Sequence, residues 1–371
     1  MEVLLENFNY ITWQMLVMWA IGGVLIYLAI AKEMEPTLLL PMGFGAILVN
    51  LPIALPDTGV QHVLNTLFSI GIEGAELFPL MLFIGIGAMI DFTPLLTNPK
   101  LMIFGAAAQF GIFFTLAAAS LLGFDIQDAA SIAIIGAADG PTSIFVATEL
   151  GSKYLGAIMV AAYSYMALVP LVQPPIIKLC TTKAERKIKM QYKGKPVSKL
   201  TKILFPIVVT IIVGLVAPDA VALIGFLMFG NLIRECGVMN SISETAQNAL
   251  ANLITIFLGI TIASQMKAAD FLQIDTLMII GLGLIAFIFD TFGGVMVANL
   301  MNLFSKEKIN PMIGAAGISA FPMSARVVHK LGLEEDNQNF LLLHSIGVNV
   351  SGQLASVIAG GLILALVKAM L

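Results

Sequence analysis

Long apolar runs, separated by short polar or charged stretches, dominate this chain. Runs of roughly 20 residues, enough to cross a bilayer as helix, fall near 13–32, 37–55, 75–92, 100–122 and 155–178. A second series follows near 200–217, 219–234, 249–268, 271–303 and 340–368. Unbroken hydrophobicity over such lengths predicts spanning helices rather than strands. The stretch 58–72 is amphipathic instead, and reads as a helix on a membrane surface or a short packed element.

Two segments interrupt the pattern. The first, 128–150, holds Gly136-Ala137-Ala138-Asp139-Gly140-Pro141-Thr142-Ser143 inside an apolar run. A carboxylate at that depth is costly to desolvate, and Gly140-Pro141 breaks a helix because proline lacks an N–H and clashes with the preceding turn. Irregular backbone survives in lipid only where protein buries it or it lines a wet cavity. Broken helices are also where secondary transporters hold coupling ions. Asp139 is therefore read as an ion site; the alternative is a kink with Asp139 as helix cap, and one carboxylate can serve as both. The second interrupted segment, 310–330, runs from Asn310-Pro311 through Gly314 and Ser319 to Arg326.

The two series resemble each other. Phe83-Ile84-Gly85 aligns with Phe257-Leu258-Gly259, Ile135-Gly136-Ala137-Ala138 with Ile313-Gly314-Ala315-Ala316, and Met42-Gly43-Phe44 with Ile224-Gly225-Phe226, in the same order. This suggests internal duplication. The chain is thus expected to be an all-α polytopic membrane protein. It would have two inverted repeats of about five spanning helices, each with a broken re-entrant hairpin. An N-terminal repeat covers 1–180, a basic linker 181–202 and a C-terminal repeat 203–371.

Charge supports this layout. The linker carries Lys183, Arg186, Lys187, Lys189, Lys193, Lys195, Lys199 and Lys202, and the positive-inside rule puts it in the cytoplasm. It is either a solvated spacer or a docking surface for an acidic soluble partner. With both interrupted segments as hairpins, each half crosses an odd number of times. Only Lys153, Lys267 and Lys368 of the 19 cations then fall outside. Composition agrees: 58% of residues are hydrophobic and 11% charged, against about 25% charged in a soluble domain, and the mean hydropathy is +0.96. Cys180 and Cys236 offer no disulfide framework, and three histidines without a ligand spacing argue against zinc. The acidic N-terminus does not look like a cleaved signal peptide. A multi-pass cell-membrane protein with no nucleic-acid partner is expected.

Several polar residues at depth could carry chemistry. Asn310 and Ser319 offer neutral oxygens suited to Na+, or else a cap and a packing hydroxyl. Arg326 is either a snorkelling anchor or an anion receptor at the inner mouth. Tyr165, beside Tyr163, is a proton donor, an ion ligand or a core residue. Asn349 and Ser351 are further candidate ligands. Asp290 either relays protons or accepts from neighbouring helices. His344, Asn299 and Asn302 read as packing residues.

Gly-Ala-Ala-Asp-Gly-Pro-Thr, a Tyr 26 residues later, the Asn-Pro-x-x-Gly…Ser…Arg run and Asn-Val-Ser-Gly-Gln resemble the β subunits of sodium-pumping, biotin-dependent decarboxylases over nearly the whole chain. The resemblance implies that carboxybiotin, presented by a separate carrier, is decarboxylated here while Na+ moves outward and a proton is taken up. It implies Asp139 as central Na+ ligand with Asn310 and Asn349, Tyr165 and Ser319 at a second Na+ or proton site, Gly314 for close backbone approach, and Arg326 for carboxybiotin. Asp139, Tyr165 and Arg326 are the implied catalytic groups, with Ser319 and Gly314 beside the cofactor. The implied partners are a carboxyltransferase α subunit, a biotin carrier and a small membrane subunit, in a homo-oligomer. The sequence lacks an Ala-Met-Lys-Met-like biotinylation site, so the biotin is expected on another polypeptide. The alternatives are a Na+-coupled carrier or cation/proton antiporter of the same architecture, and a passive anchor that would have no use for Asp139 or Asp290.

Overall fold

The computed structural model describes residues 6–52, 59–74, 76–190, 196–320 and 322–371. Lys193 and Lys195 of the linker, residues 1–5 and the end of the expected 37–55 segment lie outside them. Among the described residues every regular element is helical. The longer helices are α1 Trp13–Ala31, α2 Pro36–Val49, α3 Val60–Phe68, α4 Leu77–Met89, α5 Met102–Ala107, α6 Phe110–Leu121, α7 Ile126–Ala133, α8 Gly140–Glu149 and α9 Leu155–Cys180. They continue with α10 Lys199–Val216, α11 Val221–Cys236, α12 Ala251–Ala263, α13 Ile274–Phe304, α14 Met323–Glu335 and α15 Leu342–Met370.

Among the described residues, seven helices or helix runs are long and apolar enough to cross a membrane: Trp13–Ala31, Pro99–Leu121, Leu155–Cys180, Lys199–Val216, Asn240–Ala263, Ile274–Phe304 and Leu342–Met370. The protein is a multi-pass membrane protein. Three of the ten expected crossings, α2, α4 and α11, are shorter, at 14, 13 and 16 residues. At 1.5 Å per residue a 14-residue helix covers about 21 Å, less than the hydrocarbon core. The amphipathic stretch does form α3, which buries Leu64 and Phe68.

Where the sequence interrupts the helical pattern, the backbone breaks. α7 tightens into a 3-10 turn at Ile134–Ala137, Ala138 takes a left-handed conformation (φ 51°), and α8 starts afresh with Asp139 as its N-cap. The second interruption is a 3-10 segment, Pro311–Gly317, capped by Asn310 and followed by extended Ile318 before α14. A third break, between α5 and α6, was not expected. Asp290, fully buried on α13, accepts hydrogen bonds there from the N–H groups of Gly111 and Ile112. Of the two roles open to Asp290, the structure therefore shows it accepting from a neighbouring helix. Its carboxylate satisfies donors that lipid would leave unpaired.

Ion pairs gather at the two ends of the molecule. Lys153 lies just before α9 and pairs with Asp125 at 2.8 Å, and Lys368 binds Glu149 at 2.8 Å and Asp219 at 3.1 Å. At the far end of α9, Lys178 faces Glu334, Arg186 pairs with Glu335 at 2.6 Å, and Lys189 with Asp336 at 3.1 Å. The exposed pairs among these add little stability, but together they locate the two polar margins. Arg186 is buried, and its carbonyl accepts from the side chains of Asn310 and Asn339, each at 2.8 Å. Arg186 is thus packed beneath the second interrupted segment, while Lys183, Lys187 and Lys189 of the linker remain exposed. Asn299 and Asn302 prove to be packing residues, donating to the carbonyls of Cys180 and Ile309.

Candidate functional site

Asp139 is 3% exposed and sits where the two interrupted segments meet. The main-chain N–H of Ser319 donates to the carbonyl of Ala137 at 2.9 Å, joining one broken segment to the other. One oxygen of Asp139 accepts from the hydroxyls of Thr142 (2.8 Å) and Ser356 (2.9 Å) and the amide of Gln353 (2.8 Å). The other has, among the described residues, only the N–H of Thr142, at 3.3 Å. Asp139 is therefore both the cap of α8 and a carboxylate with unused acceptor capacity on one oxygen, as the dual reading requires.

α15 is the spine that binds both segments. Asn349 donates its amide to the carbonyls of Ala316 (3.1 Å) and Ile318 (2.7 Å), and its carbonyl oxygen is buried without a partner among the described residues. The hydroxyl of Ser319 donates to the carbonyl of Gly352 at 3.0 Å. Gln353 and Ser356 reach Asp139 one and two turns beyond Asn349, on the same helix face. Ser351 points elsewhere, to the carbonyls of Leu101 and Val348.

Asp139, Ser319, Gln353, Pro141 and Tyr163 line one side of a cavity of about 170 Å³. Glu35, Thr37, Asn252, Thr255 and Pro322 line it too, with apolar surface from Leu82, Ile86, Met89 and Met166. Arg326 is exposed one turn beyond Pro322, whose carbonyl accepts from the Arg326 N–H. An acidic floor with unpaired oxygens nearby suits a hard monovalent cation, and a guanidinium near the rim suits a carboxylate.

Two of the residues expected here lie elsewhere. The Tyr165 hydroxyl donates to the carbonyl of Ile280 on α13, and its ring packs on Gly283. The tyrosine at the cavity is Tyr163, whose ring covers Gly140 and whose buried hydroxyl has no partner among the described residues. Asn310 spends its amide on the linker carbonyls of Arg186 and Ile188 and its oxygen on the N–H of Met312. Seven residues of 3-10 helix separate it from the Ser319 end, or about 14 Å.

Gly314 makes the close approach expected of it. A Cβ there would stand 2.1 Å from the carbonyl oxygen of Gly294 on α13, and one on Gly294 would meet the Gly314 carbonyl equally closely. Gly314→Ala is expected to destabilise the protein by about 2 kcal/mol, the scale of overpacking. A detergent-solubilised thermal melt should fall by several degrees; an unchanged melt would show that α13 can retreat.

Gln353, Ser356, Thr142, Tyr163 and Glu35 were not singled out as ligands from the sequence. For the first two a signal existed, since Asn349, Gln353 and Ser356 form one polar stripe on an otherwise apolar helix.

A sequence profile of the Na+-transporting oxaloacetate decarboxylase beta subunit matches residues 14–367. The chain is 48% identical over 375 residues to the methylmalonyl-CoA decarboxylase subunit beta of Propionigenium modestum, covering 95% of this chain and 94% of that one. It is 49% identical over 364 residues to the glutaconyl-CoA decarboxylase subunit beta of Acidaminococcus fermentans, covering 98% and 96%. Identity to the oxaloacetate decarboxylase beta chain of Klebsiella pneumoniae is 46% over 413 residues, covering 95% of each.

Proposed function

The chain belongs to the beta-subunit family of Na+-transporting decarboxylases, and from that premise we propose that it decarboxylates carboxybiotin and couples the loss of CO2 to outward Na+ movement and proton uptake. The observation carrying this reading is the position of Asp139, buried at the junction of two broken segments and opening onto a cavity that Pro322, one turn before Arg326, also lines. A structural cap alone would have no need of that cavity.

The ion is the cargo. Asp139 supplies its charge, with Ser319 and the unpartnered oxygen of Asn349 as neutral donors close by. The three hydrogen bonds on one oxygen of Asp139 hold the carboxylate so that its other oxygen faces the ion. Asn310 and Tyr165 act from outside this set, Asn310 by fixing the second segment to the linker and Tyr165 by fixing α9 to α13. When bound, carboxybiotin supplies a carboxylate that leaves as CO2 from a ureido nitrogen. Arg326 orients that carboxylate through paired N–H donors, and the apolar wall of Leu82, Ile86, Met89 and Met166 limits water around it. Tyr163, with its hydroxyl unpaired beside the cavity, is placed to hold a proton there.

The two interrupted segments, in this reading, belong to inverted repeats that move against each other to alternate access, with residues 1–180 and 203–371 as the repeats. Such movement requires that ion and ligand bind the two states unequally. The carrier arrives at the basic margin around residues 178–202. A carboxyltransferase α subunit, a biotin carrier and a small membrane subunit complete the complex, in which this chain is repeated.

The test is reconstitution of the complete complex in liposomes, measuring CO2 release and ²²Na+ uptake together. Uptake that depends on decarboxylation and stops when avidin sequesters the biotin is the expected result. Na+ or solute movement by this chain alone, unaffected by avidin, would favour a plain carrier or cation/proton antiporter and overturn the proposal.

A further inference from the structure

One face of α13 runs past both interrupted segments. Gly283 lies against Ile135 and the ring of Tyr165, Ala286 and Asp290 against Gly136, and Gly294 against Gly314. Spacings of three and four residues put all four on one side of the helix. Asp290 thus stands between the first segment and the second. It is fully buried, and its bonds to the N–H groups of Gly111 and Ile112 close the third break. Its Oδ2 has no hydrogen-bond partner among the described residues. A Cβ on Gly136 would stand 2.6 Å from that oxygen, so the backbone of the first segment covers it. An oxygen covered so closely suits a proton better than a metal ion.

The elements packed around Asp290 bring no counter-charge to it. Helices α5 and α6, the turn Ile134–Ala137 and the segment Pro311–Gly317 hold no titratable residue. On α7, Asp128 binds Ser152 at the outer margin. On α9, Tyr163 lines the cavity, Tyr165 meets Gly283 two turns from Asp290, and Lys178 and Cys180 lie at the other margin. On α13 itself, Asp275 accepts from the Tyr154 hydroxyl at the outer margin. An ionised carboxylate so placed, with one oxygen undonated, is costly in a membrane interior, whereas the neutral acid is not.

We propose that Asp290 holds a proton beneath the first interrupted segment and is the proton site of the transport cycle, separate from the cation site at Asp139. The inference rests on the alternating movement and proton uptake proposed above. Gly136 lies three residues before Asp139 in the same turn, so a displacement that opens one site uncovers the other. When the segment withdraws, water reaches Oδ2. The O–H bond then breaks, its electron pair stays on the carboxylate, and the proton leaves on water. Decarboxylation consumes one proton as N–H replaces N–COO− on the ureido nitrogen. The segment packs back over Oδ2 only after a proton has returned from the outer side, because the bare anion resists being covered.

The experiment reconstitutes the complete complex in liposomes with the carboxyltransferase facing outward, and records CO2 release, ²²Na+ uptake and the pH of the lumen with a trapped dye. Asp290→Asn is the decisive variant, because an amide copies the shape of the protonated acid and still accepts from Gly111 and Ile112. Its thermal melt should match the native one, while turnover falls about a hundredfold, the lower end of what a proton-transfer group contributes, and luminal alkalinisation disappears. The infrared spectrum of the native complex should contain a protonated-carboxyl band that Asp290→Asn lacks. Native turnover and alkalinisation in the variant would leave Asp290 as a helix cap and overturn the proposal. So would a lowered melt or an absent band, since either means that the buried carboxyl is ionised. A native complex that pumps Na+ without alkalinising the lumen would remove proton coupling itself, and with it the underlying reading; native alkalinisation that survives in Asp290→Asn removes the role of Asp290 alone.

Discussion

Asp139→Asn is expected to abolish Na+-coupled decarboxylation, lowering turnover by about a hundredfold or more. The substitution keeps size and hydrogen-bonding shape but deletes the charge. Three donors, from Thr142, Gln353 and Ser356, converge on one oxygen of Asp139. An asparagine meets them best with its amide oxygen, which turns its NH2 toward the position the cation would occupy. The cation then loses an anion and gains a repulsive dipole. Removing one member of a buried charge pair costs about 3–5 kcal/mol, or roughly two to three and a half powers of ten in affinity. Decarboxylation and ²²Na+ uptake by the reconstituted complex should fall together, while a thermal melt in detergent falls only modestly, because the three shorter hydrogen bonds persist and α8 loses only the 3.3 Å bond from the Thr142 N–H. Native rates of both processes in the variant would remove Asp139 from the ion path.

Arg326→Ala should lower kcat/KM for the carboxylated carrier by about a hundredfold, consistent with the 2–5 kcal/mol lost when one partner of a hydrogen-bonded charge pair is truncated. Arg326→Lys should recover part of this, since an ammonium keeps the charge but loses the planar fork. Arg326 is exposed in the first turn of α14 and belongs to no buried network, so the variant should fold normally. Na+ binding to the complex should remain largely intact. Loss of Na+ affinity with unchanged carrier kinetics would count against a carboxylate-binding role and return Arg326 to the status of a membrane-surface anchor.

Much of the architecture was legible along the chain because membrane insertion is governed by local composition. A 20-residue apolar run has few alternatives to a spanning helix, and a proline after Gly140 or Asn310 favours a helix boundary. The break at Ala108–Gln109 escaped notice because nothing in that stretch forbids a helix. It exists because Asp290, almost two hundred residues away, supplies acceptors for the exposed N–H groups. Three of the expected crossings proved short for a related reason: hydropathy marks where apolar sequence lies, while packing decides where the helix begins.

The sequence by itself determined the class of protein, the two points where helices must break, the buried acid at one of them and the arginine beyond the other. Only the tertiary structure decided which polar groups meet. Tyr163 and Tyr165 are two residues apart on one helix, hence about 200° apart around its axis, and a single side chain of the two can face Asp139. Which one does so depends on how α9 is rotated against α8 and α13, a property of the packed bundle. The packing of α15 against α8 likewise brings Gln353 and Ser356 onto Asp139, and the long 3-10 segment carries Asn310 away to the linker. Depth in the membrane follows from composition over a short window, whereas azimuth follows from contacts made by residues far apart in the chain.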